Sequence, residues 1–343
     1  MVLLSSEQEK SNTLKLFIMP NLYTNYAGME LRNPFIISSS GITSSLDRIR
    51  KLDALGAGAI VLKSLFEEQI NAETGSLLES SDYPEAYDYV KRYTRENSLQ
   101  EYLQLIRDAK RTVHIPVIAS INCVSASEWM DFAKKIEDAG ADAMELNIYF
   151  LPVDREKNPA EFEKIYWDLL DGIRKRISIP VIIKLGPNFT NPTYMVNQLH
   201  YRNASGVVLF NRFYAPDINI DDQSFGSAEV FSNPSDLRDT LRWVGIISGH
   251  VKKADIAAST GVHSGEAAIK LLLAGAKAVQ VCSVLYKNGL DYLTEMMDKL
   301  ESWMIEKNYK KIEDFRGSMN YSNIKEPAIY ERAQFMKYFS GTV

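Results

Sequence analysis

The stretch Ala257–Tyr286, AASTGVHSGEAAIKLLLAGAKAVQVCSVLY, alternates strand, loop, helix, strand and loop. Its first strand, IAAS, ends at Ser259, and Thr260-Gly261 make a small-residue turn. Ser264 stands where a helix N-cap belongs, ahead of the apolar stripe Ile269, Leu272 and Leu273. Gly275 stands where that helix ends. The next strand, AVQVCS, reaches a second small-residue edge at Cys282-Ser283. Two successive edges of this kind let backbone N–H groups approach a phosphate, and a helix N-terminus adds partial positive charge. In a (β/α)8 barrel the phosphate site lies after strands 7 and 8, and this unit lies late in the chain, where those strands belong.

Upstream, the same strand–helix unit recurs. FIISSSG, from Phe35, predicts strand 1, and Ser45–Leu55 a helix stopped at Gly56. Ala59–Lys63 is strand 2, followed by a long insertion over about 64–97 that is rich in tyrosine, then a helix at Ser98–Arg111. Strands 3 to 6 are Pro116–Asn122, Ala143–Asn147, Pro180–Leu185 and Gly206–Asn211. Helices fall at Ser127–Ala139, Pro159–Arg176 and Pro192–Arg202, and a loop of about twenty residues precedes a helix at Ser235–Val244. Lys287–Glu306 is the last helix. Leu22–Tyr26 and Met29–Leu31 flank Ala27-Gly28 as a hairpin able to close the barrel bottom. Apolar strands without alternation fit a parallel sheet covered on both faces. Eight such units favour a (β/α)8 TIM barrel over an open doubly wound sheet, and no G-x-G-x-x-G follows the first strand.

Composition admits a large core: 343 residues, 45% hydrophobic and 24% charged, an ordinary globular balance and the length of one barrel with insertions. A net charge of −5 without like-charge blocks argues against nucleic acid or an anionic membrane surface as partner. Two distant cysteines fit a reducing compartment. No apolar run reaches the ~18 residues of a membrane helix, and Glu and Lys interrupt the first residues as no signal peptide would. These absences predict a cytoplasmic protein. Residues 1–20 read as a disordered tail, and 21–343 as a single barrel domain with a C-terminal extension.

Chemistry in such barrels sits at the C-terminal ends of the strands. Those ends carry Ser38, Ser39, Ser40 and Gly41; Lys63 and Ser64; Ser120 and Asn122; Glu145 and Asn147; Lys184; Asn211; and Thr260, Gly261, Cys282 and Ser283. A lysine closing an apolar strand either snorkels at the rim or faces an anionic or electron-rich ligand. Two of them opposite a phosphate edge favour the ligand. The asparagines serve turns or a ligand, and Glu145 faces either the interior or a partner in the helix layer. No metal set is visible: His114, His200, His250 and His263 are dispersed without H-E-x-x-H spacing. The G-x-S-x-G elbow of a serine hydrolase is missing. Cys123 and Cys282 read as small buried hydrophobes.

The segments NPFIISSSG, AGAIVLKS, PVIASI, GADAMELN, PVIIKL, GVHSGEAAIKLLLAGAKAVQVCSVLYKNG and KKIEDFRG, in this order, resemble the dihydroorotate dehydrogenase family, its soluble class more than its membrane class, over Asn21–Phe315. The resemblance implies an FMN-binding barrel that oxidises dihydroorotate to orotate in pyrimidine biosynthesis, and a homodimer. It implies flavin contacts at Ser39, Ser40, Lys63, Ser120, Asn147 and Lys184, phosphate contacts at Thr260, Gly261, Cys282 and Ser283, and substrate contacts at Asn147 and Asn211. Lys63 and Asn147 take catalytic positions. Lys184 would stabilise negative charge at the N1/C2 edge of the reduced flavin; placed at the rim, it would matter more to flavin reduction than to folding.

The chain departs from the family in the strand-4 loop. The family's N-x-S-C-P-N, whose Cys or Ser is the base, stands here as Asn147-Ile148-Tyr149-Phe150-Leu151-Pro152. Phenylalanine cannot accept a proton, which leaves Tyr149, with an ordinary pKa near 10, as the weak candidate base. The strand-2 loop carries the tyrosine-rich insertion in place of the family's substrate motif, and Cys282 replaces a phosphate-loop glycine. Three alternatives stay open: a flavin oxidoreductase on another small conjugated compound, an FMN-binding paralogue without turnover, and a flavin-free sugar-phosphate isomerase or aldolase using Lys63 or Lys184.

Overall fold

The computed structural model describes residues 19–66, 87–122, 126–148, 151–213, 215–227 and 229–332. Eight parallel strands form a closed ring: β1 (Phe35–Ile37), β2 (Ala59–Val61), β3 (Val117–Asn122), β4 (Ala143–Asn147), β5 (Val181–Leu185), β6 (Gly206–Leu209), β7 (Ile256–Ser259) and β8 (Ala278–Val281). Each pairs with its successor, and β8 returns to β1. This is the (β/α)8 barrel expected from the repeated unit. The longer helices are α1 (Leu46–Ala54), α2 (Tyr87–Thr112), α3 (Ala126–Asp138), α4 (Pro159–Arg174), α5 (Pro192–Tyr201), α6 (Leu237–His250), α7 (Gly265–Ala274) and α8 (Tyr292–Glu306).

Local chemistry accounts for the boundaries. Ser264 Oγ accepts from Ala267 N at 3.3 Å to start α7, and Gly275 ends it at φ +115°, a conformation that favours glycine. At α4, Asn158 and Glu161 form a reciprocal capping box with Pro159 at the first turn, satisfying two N–H groups that a helix start leaves unpaired.

The strand interiors are layered. Ile36, Ile118, Ala143, Ile182, Val208, Ala257 and Ala278 form one buried cluster with Tyr26, Met29 and Leu31. The latter three belong to the hairpin Thr24–Tyr26/Met29–Leu31, whose turn residues Ala27 and Gly28 have φ of +53° and +81°, the signature of a two-residue type I′ turn. The hairpin therefore stoppers the N-terminal end of the barrel. It is tied there by Tyr26 Oη donating to Val207 O at 3.2 Å and Ala27 N donating to the Asp255 carboxylate at 2.8 Å. Two residues further along the strands the same inward positions carry Ser38, Ser120, Glu145, Lys184, Ser259 and Gln280, all buried. Strand alternation thus places an apolar floor beneath a polar layer.

Four expected boundaries are corrected. Helix α2 begins at Tyr87 rather than Ser98, because 87–97 contains no Gly or Pro to stop it. The loop after β6 contains a hairpin, Pro216–Asn219 with Ser224–Ser227; its first strand is wholly exposed, so no apolar alternation announced it. Helix α6 runs to His250, past Val244. The last helix is two, Ser283–Asn288 and α8, separated at Gly289 with φ +88°. Residues 1–18 of the expected tail and 67–86 of the insertion lie outside the described residues.

Candidate active site

The polar layer is joined into one network. Lys184 is 5% exposed and Glu145 fully buried. Lys184 Nζ lies 3.4 Å from Glu145 Oε1 and donates to Gln280 Oε1 at 2.9 Å and Ser38 Oγ at 3.1 Å. Gln280 Nε2 donates in turn to Glu145 Oε2 at 2.6 Å. Glu145 Oε1 accepts no hydrogen bond, so the neighbouring ammonium is what offsets its burial. Glu145 therefore faces the interior and not the helix layer, and Lys184 is no rim lysine: it is sunk among fixed partners. Gln280 was not among the sequence candidates. Its one signal was a polar residue breaking the apolar run AVQV.

Lys184 and Gln280 line a cavity of about 450 Å³, within the range of small-molecule sites. Thr260 and Gly261 from the β7 edge and Cys282 and Ser283 from the β8 edge line it too. Thr260 and Gly261 both have φ +80°. A β-branched residue seldom adopts that conformation; Thr260 Oγ1 is held there by donating to Phe210 O at 3.0 Å. A Cβ on Gly261 would stand 2.1 Å from Leu237 N, so only glycine lets α6 begin against this turn. At the other edge, Leu285 N and Tyr286 N donate to Cys282 O, which leaves the N–H groups of Ser283 and Val284 without an intrahelical partner.

Ser232 closes over this wall. Its N–H donates to Ser283 Oγ at 3.0 Å, its carbonyl accepts from Lys287 Nζ at 3.0 Å, and its hydroxyl lies 2.9 Å from His263 Nε2. Burial and the Lys287 cation lower the His263 pKa, against the opposing pull of Ser232 and Asp236. Burial raises the Cys282 pKa, against Ser40 and Lys184, which keeps it a thiol. Small-residue edges, a helix start and a nearby lysine suit a phosphate. The cation below suits an electron-rich ring edge. The residues present fit a flavin mononucleotide.

The other expected site residues divide. Asn147 and Asn211 are brought together, with Asn211 Nδ2 donating to Asn147 Oδ1 at 2.7 Å. Ser39 and Ser40 line the cavity. Ser120 is fully buried and lies at the end of a hydroxyl chain, 2.7 Å from Ser64 Oγ, which is 3.0 Å from Ser39 Oγ. Lys63 is exposed and is not among the residues lining the cavity. Tyr149, Phe150 and Cys123 lie outside the described residues. Arg212, which sequence reasoning missed, lines the cavity and donates to Glu229 O at 2.7 Å and Val230 O at 2.6 Å, tying down the loop that carries Ser232. Among the described residues no group of His, Cys, Asp or Glu could hold a metal ion, and no helix is long and apolar enough to cross a membrane.

A closed parallel barrel with small-residue edges after strands 7 and 8, and a buried cation on strand 5, is the architecture of a barrel enzyme for a phosphorylated cofactor or substrate. The family model for dihydroorotate dehydrogenase matches residues 21–304, and the chain belongs to that family. It is 28% identical over 310 residues to the dihydroorotate dehydrogenase B (NAD(+)) catalytic subunit of Thermoplasma volcanium, covering 87% of this chain and 98% of that protein. It is 27% identical over 301 residues to the protein of the same name from Methanocaldococcus jannaschii, covering 84% and 94%. A putative dihydroorotate dehydrogenase A (fumarate) of Aeropyrum pernix is 27% identical over 316 residues, covering 88% and 98%.

Proposed function

We propose that this chain is an FMN-dependent oxidoreductase that converts dihydroorotate to orotate, acting in the cytoplasm as a homodimer. The observation that carries the reading is the buried Lys184 lining the same cavity as the Thr260-Gly261 and Cys282-Ser283 edges. Bound there, FMN would supply the acceptor for the hydride. The two small-residue edges would hold the phosphate, with Ser39 and Ser40 beside it. Lys184, almost fully buried, would favour negative charge on the reduced ring, since burial strengthens its field there. The paired amides of Asn147 and Asn211 would orient the substrate. The relatives' names differ in the electron acceptor, NAD(+) or fumarate.

One observation favours a second reading, a flavin oxidoreductase acting on another small conjugated compound. Phe150 stands where the family has its base, and phenylalanine moves no proton. A visible spectrum of the purified protein before and after anaerobic dihydroorotate tests both. Bleaching of a flavin spectrum is the expected result. A flavin spectrum that dihydroorotate leaves unchanged supports the second reading, and a colourless protein after FMN addition removes both.

A further inference from the structure

We propose that Glu145 is a positioning residue that partly neutralises Lys184 and, through Gln280, fixes its ammonium, so that the barrel favours an anionic reduced flavin less than a lone lysine would. The proposal rests on the FMN reading above. Glu145 is fully buried on β4, and Lys184 is almost fully buried on β5. A carboxylate so placed is costly unless paired, and no surface role explains it. The bridge is specific. The Gln280 amide turns its oxygen to Lys184 at 2.9 Å and its nitrogen to Glu145 at 2.6 Å, which also assigns the amide orientation. An ammonium has three donors. Two are committed to Gln280 and Ser38, and the 3.4 Å approach to Glu145 is ionic, which leaves the third donor free to serve a ligand. The carboxylate therefore acts on the cation's charge without occupying its outward face.

Sulfite reads this charge directly. It adds to the oxidised flavin through its own electron pair, forming a sulfur–nitrogen bond at N5 and leaving the added negative charge on the ring's N1/C2 edge. Removing a nearby negative charge favours that adduct. Glu145→Gln is expected to bind sulfite about tenfold more tightly than wild type, the size of one Coulombic step through a medium of intermediate dielectric. Glu145→Asp, which keeps the charge, is expected to stay within about twofold. Equal shifts in both variants would mean that shape and not charge is at work, and an unchanged Glu145→Gln would overturn the proposal while leaving the flavin reading intact. Wild-type protein that takes up no FMN would instead overturn the functional reading.

Thermal unfolding of the flavin-free protein tests the pair without any cofactor. Lys184→Met strands a buried carboxylate, so Glu145→Gln added to it is expected to restore stability. If Glu145→Gln does not fold alone but the double variant does, the coupling stands. If neither folds, the carboxylate serves the fold independently of the lysine, and the proposal fails.

Discussion

The two ends of this barrel are built from the same strands and differ in what one alternation of the backbone presents. At the N-terminal end, Ile36, Ile182 and Ala278 meet the hairpin residues Tyr26 and Leu31 in an apolar cluster. Two residues on, the same three strands present Ser38, Lys184 and Gln280. The lower end gains most of its stability from apolar burial, which is non-directional, with two hydrogen bonds tying the hairpin to it. The upper end depends on particular partners at particular distances, where loss of one member leaves another unsatisfied. Substitutions at the lower end should therefore cost stability alone, whereas those at the upper end should cost stability and ligand binding together.

The largest expected effect is at the floor. Tyr26→Ala removes a fully buried ring and should cost roughly 4 kcal/mol in urea unfolding while leaving FMN affinity in the surviving folded fraction unchanged. A matching loss of affinity would break the division between the ends. Lys184→Met should cost about 3 kcal/mol, because it abandons Glu145 in the interior, and should also slow flavin reduction. This replaces the expectation that the residue matters little to folding, and a melting temperature equal to wild type would refute it. Gly261→Ala, at φ +80° and with its Cβ pressed on Leu237 N at 2.1 Å, should lose about 2 kcal/mol and most FMN occupancy, read by absorbance. Asn211→Ala should cost about 1 kcal/mol and raise KM far more than it lowers FMN content.

The smallest effect lies at the outer edge of the floor. Burial alone would raise the Glu137 pKa, but Lys134, the Ser178 hydroxyl and the N–H groups of Ser178 and Ile179 outweigh it and hold the carboxyl at about 2, against 4.5 ordinarily. A carboxyl lowered on folding contributes stability that is present above the unfolded value and is lost as pH falls through the folded one. Between pH 4.5 and 2, then, Glu137→Gln should flatten part of the acid loss of stability. Parallel acid titrations of the two proteins would show that this carboxyl has no such role.

The hairpin of the lower end and the bounds of α7 are legible in sequence because their signals are local. Ala27-Gly28 between short apolar runs announces the hairpin, and Ser264 and Gly275 bracket α7 by chemistry confined to a few residues. The strand ends are legible as positions, which is why Lys184, Asn147, Thr260 and Ser283 could be named in advance. Their partners are not. Gln280 and Glu145 are 135 residues apart and meet only because the ring closes. No periodicity tells which of two buried faces a lone glutamate takes. Lys63 shows the converse: it ends an apolar strand as Lys184 does, yet it is solvent-exposed, since the pattern marks where a strand ends and not where its last side chain turns.

The hairpin stopper also fixes the direction of traffic. A vessel corked at one end is filled and emptied through the same mouth. Whatever ligand the cavity takes has to arrive and depart at the C-terminal ends of the strands, on the side away from Tyr26.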